Sequence, residues 1–290
     1  MSRKIPVSVV IMTKNEENNI RKCIHSVQDF SEIYVVDSNS TDQTLEIAHS
    51  LGAKVVNFTW DGKYPKKKQW ALEQLPFQND YVFYVDADEE VTPKLNAEIR
   101  NIFEAKDTAA GYFVGYDYVF MDKVLKHGHQ VYKLVIFDRK RGKFLDYDDL
   151  DANNMWEVEG HYQPQIDGKV AIFKEKMVHN DHDSIFDYFA RHNRYSDWEA
   201  HVRLNGALSN PQESQPLHRV IQKKLFNAMP FKWVIAFFHS FVLKFGFLDG
   251  SSGFHFAVAR AMYYWQVEVK MRELKSKSSK TNQIGKQVKV

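Results

Sequence analysis

The segment VSVVIMTKNE, residues 7–16, joins a near-continuous apolar run to a short polar stretch. Val7–Met12 lacks the alternation of a half-exposed strand, which is typical of a strand covered on both faces in a parallel sheet. Similar apolar runs follow at Ile33–Val36, Lys54–Phe58 and Tyr81–Val85, with a helix-length segment between each pair. This alternation predicts an α/β fold with a mostly parallel central sheet and helices on both faces.

The composition limits the class of protein. The chain has 290 residues, a net charge of +2 and an apolar fraction of 44%. A core of ordinary size is therefore expected, and the near-neutral charge argues against nucleic acid as a partner. The single cysteine, Cys23, excludes a disulfide within the chain and fits a reducing compartment.

After Gly111 the segments become aromatic and β-branched. Gly111–Phe120, Val124–Lys126 and Val131–Phe137 are predicted to be strands, and Trp156–Val170 is a further strand-rich stretch. Ser184–Leu204 has the apolar face of a helix. The sheet is therefore predicted to continue beyond the first hundred residues, with a helix after it.

Acidic residues follow three of the predicted strands. Glu16 comes after the first strand, Asp37 after the second, and Asp86 and Asp88 after the fourth. In an open parallel sheet, ligands bind beyond the carboxyl ends of the strands, where the strand order reverses. The sequence therefore predicts a hydrophilic cleft at that edge.

Asp86-Ala87-Asp88 places two carboxylates two residues apart at the end of a buried strand. Unpaired, they would repel each other and one would hold a proton. Mg²⁺ commonly binds one or two protein carboxylates together with phosphate oxygens, and it would remove that cost. The simpler alternative is a solvated acidic turn that caps the next helix, but the position directly after Tyr81–Val85 favours a metal site.

Other polar residues could reach the same cleft. Asp37 stands directly at a strand end, where its carboxylate could accept hydrogen bonds from a base or a ribose, whereas Asp42 has the position of a helix cap. Lys68 and Gln69 begin the helix that carries Trp70. Lys68 is therefore a candidate phosphate contact.

Three blocks, VVIMTKNE at 9–16, VVDSNSTDQT at 35–44 and DADE at 86–89, together resemble family 2 glycosyltransferases. More narrowly, the chain is similar to the lipopolysaccharide-core β-glycosyltransferase branch. The resemblance implies a GT-A fold, an inverting reaction, and a nucleotide-sugar donor, most simply a UDP-sugar. It also implies a glycan or lipid-linked acceptor and Mg²⁺ or Mn²⁺ as the cofactor.

The resemblance also implies roles for individual residues. Carried over by position, Thr13, Asn15 and Glu16 line the nucleotide pocket. Asp37 contacts the base, while Asp86 and Asp88 hold the ribose, the diphosphate and the metal.

The same resemblance sets the expected domain organisation. Residues 1–205 form the catalytic domain, with a nucleotide-binding half at 1–105 and an acceptor half at 106–205. Residues 206–274 form a helical, aromatic-rich extension. The Lys/Ser-rich residues 275–290 are predicted to be disordered.

Inverting transfer needs a general base for the proton of the acceptor hydroxyl, and a carboxylate is the usual choice. The resemblance places an Asp or Glu in the second half of the catalytic domain, where WEVEGH, residues 156–161, offers Glu157 and Glu159. On a strand the two would share one face. We favour Glu159, because Gly160 indicates a strand end; the simpler alternative is a pair of solvent-facing glutamates.

The run HNDHD, residues 179–183, is dense in potential ligands, although sequence neighbours rarely converge on one ion. His179 ends a strand-like segment and is a candidate to complete the metal site or to contact phosphate. Arg191 and Arg194 recur nearby at helical spacing and are candidates to bind the donor diphosphate or the acceptor. The simpler alternative for both arginines is a solvated helix face.

Phe231–Leu248 is strongly aromatic but is interrupted by Lys232, His239 and Lys244. Such a segment suits a helix in a membrane interface, and packing on protein is the alternative. No uninterrupted apolar run is long enough for an ordinary spanning helix. We therefore expect a cytoplasmic protein that attaches peripherally to the cytoplasmic face of the inner membrane and acts in envelope polysaccharide or lipopolysaccharide synthesis.

Two other functions compete with sugar transfer. A sugar nucleotidyltransferase also uses an Asp pair and a metal at a strand end, but its first loop is normally rich in glycine, and Thr13–Glu16 contains none. A non-catalytic nucleotide-sugar or membrane-binding protein would have no need of Asp86, Asp88 and a downstream glutamate together.

Overall fold

The computed structural model of the protein describes residues 3–147, 149–150, 156–158, 163–180, 184–206 and 231–287, with side chains up to Lys277. These residues group into two compact units. The first contains the chain up to Lys126, Gln130–Leu145 and the described part of 157–182. The second contains His127–His129, the described part of 146–156, and all that is described from Ser184 onward.

The first hundred residues alternate between strands and helices, as the apolar runs predict. Thr92 begins the last of these helices as its N-cap, and its hydroxyl accepts a hydrogen bond from the Leu95 N–H at 3.2 Å. The elements are β1 (Ile5–Thr13), α1 (Ile20–Ser26), β2 (Phe30–Asp37), α2 (Thr44–Ser50), β3 (Lys54–Asn57), α3 (Lys67–Gln74), β4 (Tyr81–Asp86), β5 (Glu89–Val91) and α4 (Pro93–Ala105).

The strands that follow complete the sheet. They are β6 (Gly111–Phe120), β7 (Lys123–Leu125), β8 (Tyr132–Asp138), β9 (Gly142–Lys143), β10 (Gln165–Ile166) and β11 (Val170–His179). Within the described residues, nine strands form one sheet in the order β3-β2-β1-β4-β8-β6-β11-β5, with β7 paired to β6. Neighbours β3, β2, β1 and β4 are parallel, as are β6 and β11, whereas β8 and β5 run antiparallel to their neighbours. The predicted mostly parallel sheet is confirmed.

Alternate residues of β1 pack on opposite faces of the sheet. Val9 and Ile11 join a buried cluster with side chains of α1, α2 and α4. Val10 and Met12 join a second cluster with side chains of α3. Helices therefore cover both faces, which explains why β1 is apolar along most of its length.

One strand prediction differs from the structure, and the strand β5 was not predicted. Trp156–Val158 forms a bend, and between Gln163 and Lys169 there is only the two-residue strand β10, so the strand prediction for Trp156–Val170 is wrong in the described residues. Pro164 and a turn at Gly168, with φ of 125°, interrupt extended pairing there. The acidic segment of β5 has no strand pattern of its own, and only pairing with the distant β11 makes it a strand.

The second unit is helical. Its elements are α5 (Ile185–Leu204), α6 (Lys232–Phe238), a π-helical segment (His239–Leu243), a 3₁₀ turn (Gly246–Asp249) and α7 (Gly250–Gln287). Helix α5 therefore groups with the C-terminal helices, before the domain boundary predicted at residue 205.

The last helix, α7, extends further than the composition predicts. It runs through residues 275–287, in place of the predicted disorder; the stretch lacks proline, so no residue in it forces the helix to end. No single helix among the described residues has the length and apolar composition to cross a membrane. Lys232–Leu243 and Gly246–Lys277, bent by 71°, meet that criterion only as a pair.

Candidate functional site

The carboxyl ends of β1, β2 and β4 bring the predicted cleft residues to one edge of the sheet. In the parallel pairing, Met12 lies beside Asp86 and Thr13 lies beside Asp37. Strands β2 and β3 lie on one side of β1 and β4 lies on the other, so the strand order reverses at β1. Ligands of open α/β sheets bind at such a point.

Asn15 and Asp37 tie together the loops that follow β1 and β2. The side-chain oxygen of Asn15 accepts a hydrogen bond from the Thr41 N–H, and the Asn15 N–H donates to the Ser40 hydroxyl, both at 2.8 Å. Asp37 is fully buried, and its two oxygens accept from the N–H and hydroxyl of Ser40 at 2.7 and 2.5 Å. Both residues order this edge of the cleft, and their contacts with a nucleotide stay predictions.

Glu16 and Thr13 lie beside these loops. A carboxylate oxygen of Glu16 accepts a hydrogen bond from the Asn19 side chain at 2.9 Å. Asp42 accepts from the Thr44 N–H at 3.0 Å, but Gln43 is the N-cap residue of α2, so the predicted cap position lies one residue too early. The Thr13 hydroxyl oxygen is buried and has no hydrogen-bond partner among the described residues. Because buried hydroxyls nearly always have a partner, a polar group of a ligand would complete this position.

Lys133 on β8 reaches the acidic turn that follows β4. Its Nζ lies 3.0 Å from Asp86 Oδ2 and 2.7 Å from Glu89 Oε1, and Lys68 Nζ lies 3.9 Å from the other Asp86 oxygen. Burial by itself would raise the pKa of Asp86, but the charges of Lys133 and Lys68 outweigh burial and hold that pKa below its ordinary value. The positive and negative charges at this turn therefore compensate each other. Lys68 lies at the predicted cleft, beside Asp86.

Glu89 fixes the shape of this turn from within the protein. Its side chain is almost completely buried, and its Oε2 accepts hydrogen bonds from the Asp86 N–H at 3.0 Å and from the Tyr116 hydroxyl at 3.4 Å. Burial outweighs the attraction of Lys133 and raises the pKa of Glu89. The sequence analysis missed the roles of Lys133 and Glu89, because only the pairing of β8 with β4 brings them together.

Asp88 and His179 form a second pair at this edge. Asp88 Oδ2 lies 3.3 Å from His179 Nε2, and the imidazole ring stacks on Tyr118 with 5.2 Å between centroids. Burial disfavours the charged imidazole, but the Asp88 carboxylate outweighs burial and raises the pKa of His179. The Nδ1 atom of His179 is buried without a hydrogen-bond partner in the part of the chain that the structure describes.

Asp88 and His179 fit two adjacent positions around a divalent cation. Metal–ligand distances of about 2.1 Å at right angles separate the two ligand atoms by about 3.0 Å, close to the observed 3.3 Å. Within the described residues, no three His, Cys, Asp or Glu side chains converge into a complete metal site, so phosphate oxygens would have to complete the coordination. Asp86 faces two lysines, and its metal-ligand role stays a prediction.

Lys67, which sequence reasoning passed over in favour of its neighbour, is buried at the same edge. Its Nζ donates hydrogen bonds to the Thr13 carbonyl at 2.9 Å and the Ser38 hydroxyl at 2.6 Å. Burial lowers the pKa of Lys67 to about 8, and the Glu157 carboxylate opposes that shift, so Glu157 lies close to this edge. The Lys67 N–H also donates to the Glu157 carbonyl at 2.8 Å. Glu159, the favoured base, lies outside the described residues.

Arg191 and Arg194 lie on α5 in the second unit, where Arg191 is half-buried and Arg194 is exposed. Their predicted contact with a diphosphate stays a prediction. Trp198 on the same helix is buried, and its indole N–H donates to Asp149 at 2.6 Å, so one part of this helix is packed into its unit.

Comparison with known proteins assigns the fold and the cleft to a family. The family model described as Glycosyl transferase family 2 matches residues 8–164, which is more than half of the 290-residue chain. The match includes the edge of the sheet with Asp37, Asp86 and Asp88. The chain belongs to glycosyl transferase family 2.

Relatives of this family 2 glycosyltransferase extend the match. An uncharacterized glycosyltransferase RC0292 from Rickettsia conorii is 29% identical over 94% of this chain and 92% of that protein. The lipopolysaccharide core biosynthesis glycosyltransferase LpsC from Rhizobium meliloti is 34% identical over 41% of this chain and 47% of that protein. Other Rickettsia relatives match over only 34% and 32% of their own length.

A solved structure confirms the expected GT-A fold. The mannosyltransferase PcManGT from Pyrobaculum calidifontis, in complex with GDP-Man and Mn²⁺, has a TM-score of 0.53. The likeness covers 92% of this chain and 87% of that chain at 15% sequence identity. At this identity the likeness concerns the fold alone.

The charge cluster of Lys133, Asp86 and Glu89 in this glycosyltransferase is open to a stability test. Lys133→Met leaves the carboxylates of Asp86 and Glu89 without their shared cation. Because Glu89 is buried but Lys133 and Asp86 are partly exposed, the free energy of unfolding is expected to fall by about 2 kcal/mol, between the values for an exposed and a buried pair. Adding Glu89→Gln removes one uncompensated charge and is expected to restore part of that loss. Chemical denaturation of the single and double variants measures both effects.

Lys140→Met is the matched control, because Lys140 pairs with Asp80 at 2.7 Å on the surface, where both side chains are 65% exposed. Exposed pairs contribute less than about 1 kcal/mol. An effect of Lys133→Met no larger than that of Lys140→Met, or a double variant with purely additive losses, would show that the cluster is not a coupled unit.

Proposed function

We propose that this glycosyltransferase transfers a sugar, with inversion at the anomeric carbon, from a UDP-linked donor to a glycan or lipid-linked acceptor in envelope polysaccharide or lipopolysaccharide synthesis. The observation that carries the proposal is the Asp88–His179 pair, 3.3 Å apart, beside Asp86 at the sheet edge. The name of LpsC, a lipopolysaccharide core biosynthesis glycosyltransferase, supports the proposed pathway class. The GDP-Man and Mn²⁺ bound to PcManGT support a nucleotide-sugar donor and a divalent metal.

In this proposal, Asp88 and His179 would hold Mg²⁺ or Mn²⁺ next to the donor diphosphate. A divalent cation there would supply positive charge to stabilise the departing diphosphate. Lys68, close to Asp86, supplies a further positive charge at the same edge. The buried Thr13 hydroxyl offers a hydrogen bond to the nucleotide, consistent with its position at the end of β1.

The transfer itself is a displacement at the anomeric carbon. The acceptor hydroxyl oxygen forms a bond to that carbon while the bond to the diphosphate oxygen breaks, so the nucleoside diphosphate leaves with the bonding electrons. The hydroxyl proton passes to a carboxylate on the opposite side of the sugar from the leaving group, which gives inversion. Glu159 is the proposed base and Glu157 the alternative.

We also propose that the second unit attaches to the cytoplasmic face of the inner membrane, and that the protein is otherwise cytoplasmic. Five large apolar residues near the bend of its helices are each between 45% and 68% exposed. Contiguous exposed apolar surface of this kind commonly marks a membrane or protein contact. This apolar tip consists of Val242, Leu243, Phe245, Phe247 and Leu248.

The backbone at the apolar tip favours a functional role. Phe245 has a φ of 58°, in the left-handed region that costs a bulky residue free energy and that glycine adopts readily. Strained positions of this kind concentrate at functional sites. The conformation follows the end of the segment His239–Leu243, and it leaves the Phe245 ring 56% exposed, where insertion into an apolar phase would remove it from water.

The metal pair is tested by Asp88→Asn. Loss of the charged ligand is expected to lower metal-dependent turnover by about 100-fold or more, because the cation no longer stabilises the leaving diphosphate. Release of nucleoside diphosphate from a panel of nucleotide sugars, with Mn²⁺ or Mg²⁺, measures the effect.

Asp80→Asn is the control for this variant, because Asp80 is an exposed aspartate in the same unit. It should retain wild-type turnover and an unchanged melting temperature. Turnover of Asp88→Asn close to that of Asp80→Asn would refute the assignment of the metal pair.

The general base is tested by two amide substitutions. Glu159→Gln is expected to lower transfer by about 10²- to 10⁴-fold and to leave donor binding intact, because the amide cannot take the acceptor proton. Glu157→Gln, two residues away, is the matched comparison and should transfer normally. The opposite ranking would make Glu157 the base, and full activity in both would place the base elsewhere.

A further inference from the structure

The second unit contains a cluster of basic side chains next to the apolar tip. The short segment His127–His129 is held against the tip by hydrogen bonds: the Gly128 N–H donates to the Lys244 carbonyl at 2.8 Å, and the His129 N–H donates to the Ser240 hydroxyl at 3.2 Å. His129 and His239 then lie with their ring centroids 6.3 Å apart. Two imidazoles therefore lie at the base of the tip.

Arg260 on α7 and Lys244 add positive charge to the two imidazoles. Burial, together with the charges of Arg260, His239 and Lys244, lowers the pKa of His129 to about 3. Burial, Lys244 and Arg260 likewise lower the pKa of His239. The nearby cations disfavour a positive charge on either imidazole. Both rings are therefore neutral at pH 7, and each can donate a hydrogen bond through its one ring N–H.

Arg260 has no counter-charge in the part of the chain that the structure describes. Its Nε is buried and has no hydrogen-bond partner among those residues, while the guanidinium lies 5.8 Å from the Tyr264 ring centroid and hydrogen-bonds to that neutral side chain. Asp249, the nearby carboxylate in sequence, accepts hydrogen bonds from His127 instead. Arg260 is half-buried and an arginine keeps its proton, so a positive charge without a counter-ion at this position would be compensated by an anion from outside the chain.

The surroundings of the cluster indicate which anion. The planar guanidinium matches phosphate oxygens in two parallel hydrogen bonds, and neutral imidazoles can add donors. The apolar tip beside the cluster makes no contact with a small hydrophilic anion, but it would contact the apolar end of an amphiphile whose charged end binds the cluster. The cytoplasmic leaflet of a membrane supplies amphiphiles with negatively charged phosphate headgroups.

We propose that Arg260, His129 and His239 bind the phosphate headgroup of an anionic membrane lipid while the apolar tip enters the acyl-chain region. The proposal rests on the membrane attachment proposed above but not on the sugar-transfer reaction. The second unit would then attach selectively to membranes that contain anionic lipids. Lys244, which lies between Leu243 and Phe245 of the tip, can extend its ammonium group towards the same headgroup layer.

Vesicle co-sedimentation tests the proposal with the full chain. Vesicles of phosphatidylcholine alone are compared with vesicles of phosphatidylcholine and phosphatidylglycerol. The wild-type protein should bind the anionic vesicles more tightly, and Arg260→Met should lower that binding by about tenfold, as expected for loss of a charged hydrogen bond to phosphate. Binding of Arg260→Met to pure phosphatidylcholine should be unchanged.

Arg272→Gln is the matched control, because Arg272 lies on the same helix, carries the same charge and is 76% exposed. If Arg260→Met and Arg272→Gln bind anionic vesicles equally, general attraction explains the binding and the headgroup site is overturned. Arg260→Met should keep or raise the melting temperature, since it removes a half-buried charge that has no counter-ion among the described residues. His239→Gln, which leaves Arg260 in place, gives a second variant if Arg260→Met does not fold.

Three further outcomes distinguish the membrane attachment from the headgroup site. Leu243→Ser with Phe245→Ser should weaken binding to both kinds of vesicle, because these residues form the apolar tip. Absence of wild-type binding to any vesicle would overturn the membrane attachment and the headgroup site together. Calorimetric binding of inorganic phosphate as tight as vesicle binding would assign the cluster to free phosphate and overturn the lipid.

Discussion

The parallel pairing of β1 with both β2 and β4 is the constraint on which the site depends. All three strands are buried on both faces, and a shift of register by one residue would turn every side chain to the opposite face. The core therefore fixes the register that sets Thr13 beside Asp37 and Met12 beside Asp86. Apolar packing thus positions polar residues that do not themselves stabilise the core.

Charge compensation is the second requirement at this edge. A site for a diphosphate and a cation needs ionised carboxylates, but uncompensated carboxylates would repel the diphosphate. Lys133 and Lys68 compensate Asp86, while Asp88 faces His179. Because the two lysines compensate Asp86, Asp88 and the His179 imidazole remain as the pair suited to a cation. The lysines also keep positive charge beside the place where phosphate oxygens would lie.

Local sequence patterns were sufficient for the part of the fold that carries the site. Apolar runs located β1 to β4, and the carboxylates after them marked the cleft, because strand ends are local features. Lys133 and the strand β5 depend on pairings between distant segments, which no single stretch encodes. The strand expected around Glu157 is a bend, because alternating residues alone do not supply a pairing partner.

We propose that the edge formed by Asp86, Asp88 and His179 binds a nucleoside diphosphate together with a divalent cation. Calorimetry of UDP, GDP and other nucleoside diphosphates with Mn²⁺, Mg²⁺ or EDTA measures this binding. We expect one nucleotide, UDP by the proposal above, to bind in the presence of the metal and to lose its binding in EDTA. Equal affinity in EDTA, or no nucleotide binding under any of these conditions, would contradict the proposal.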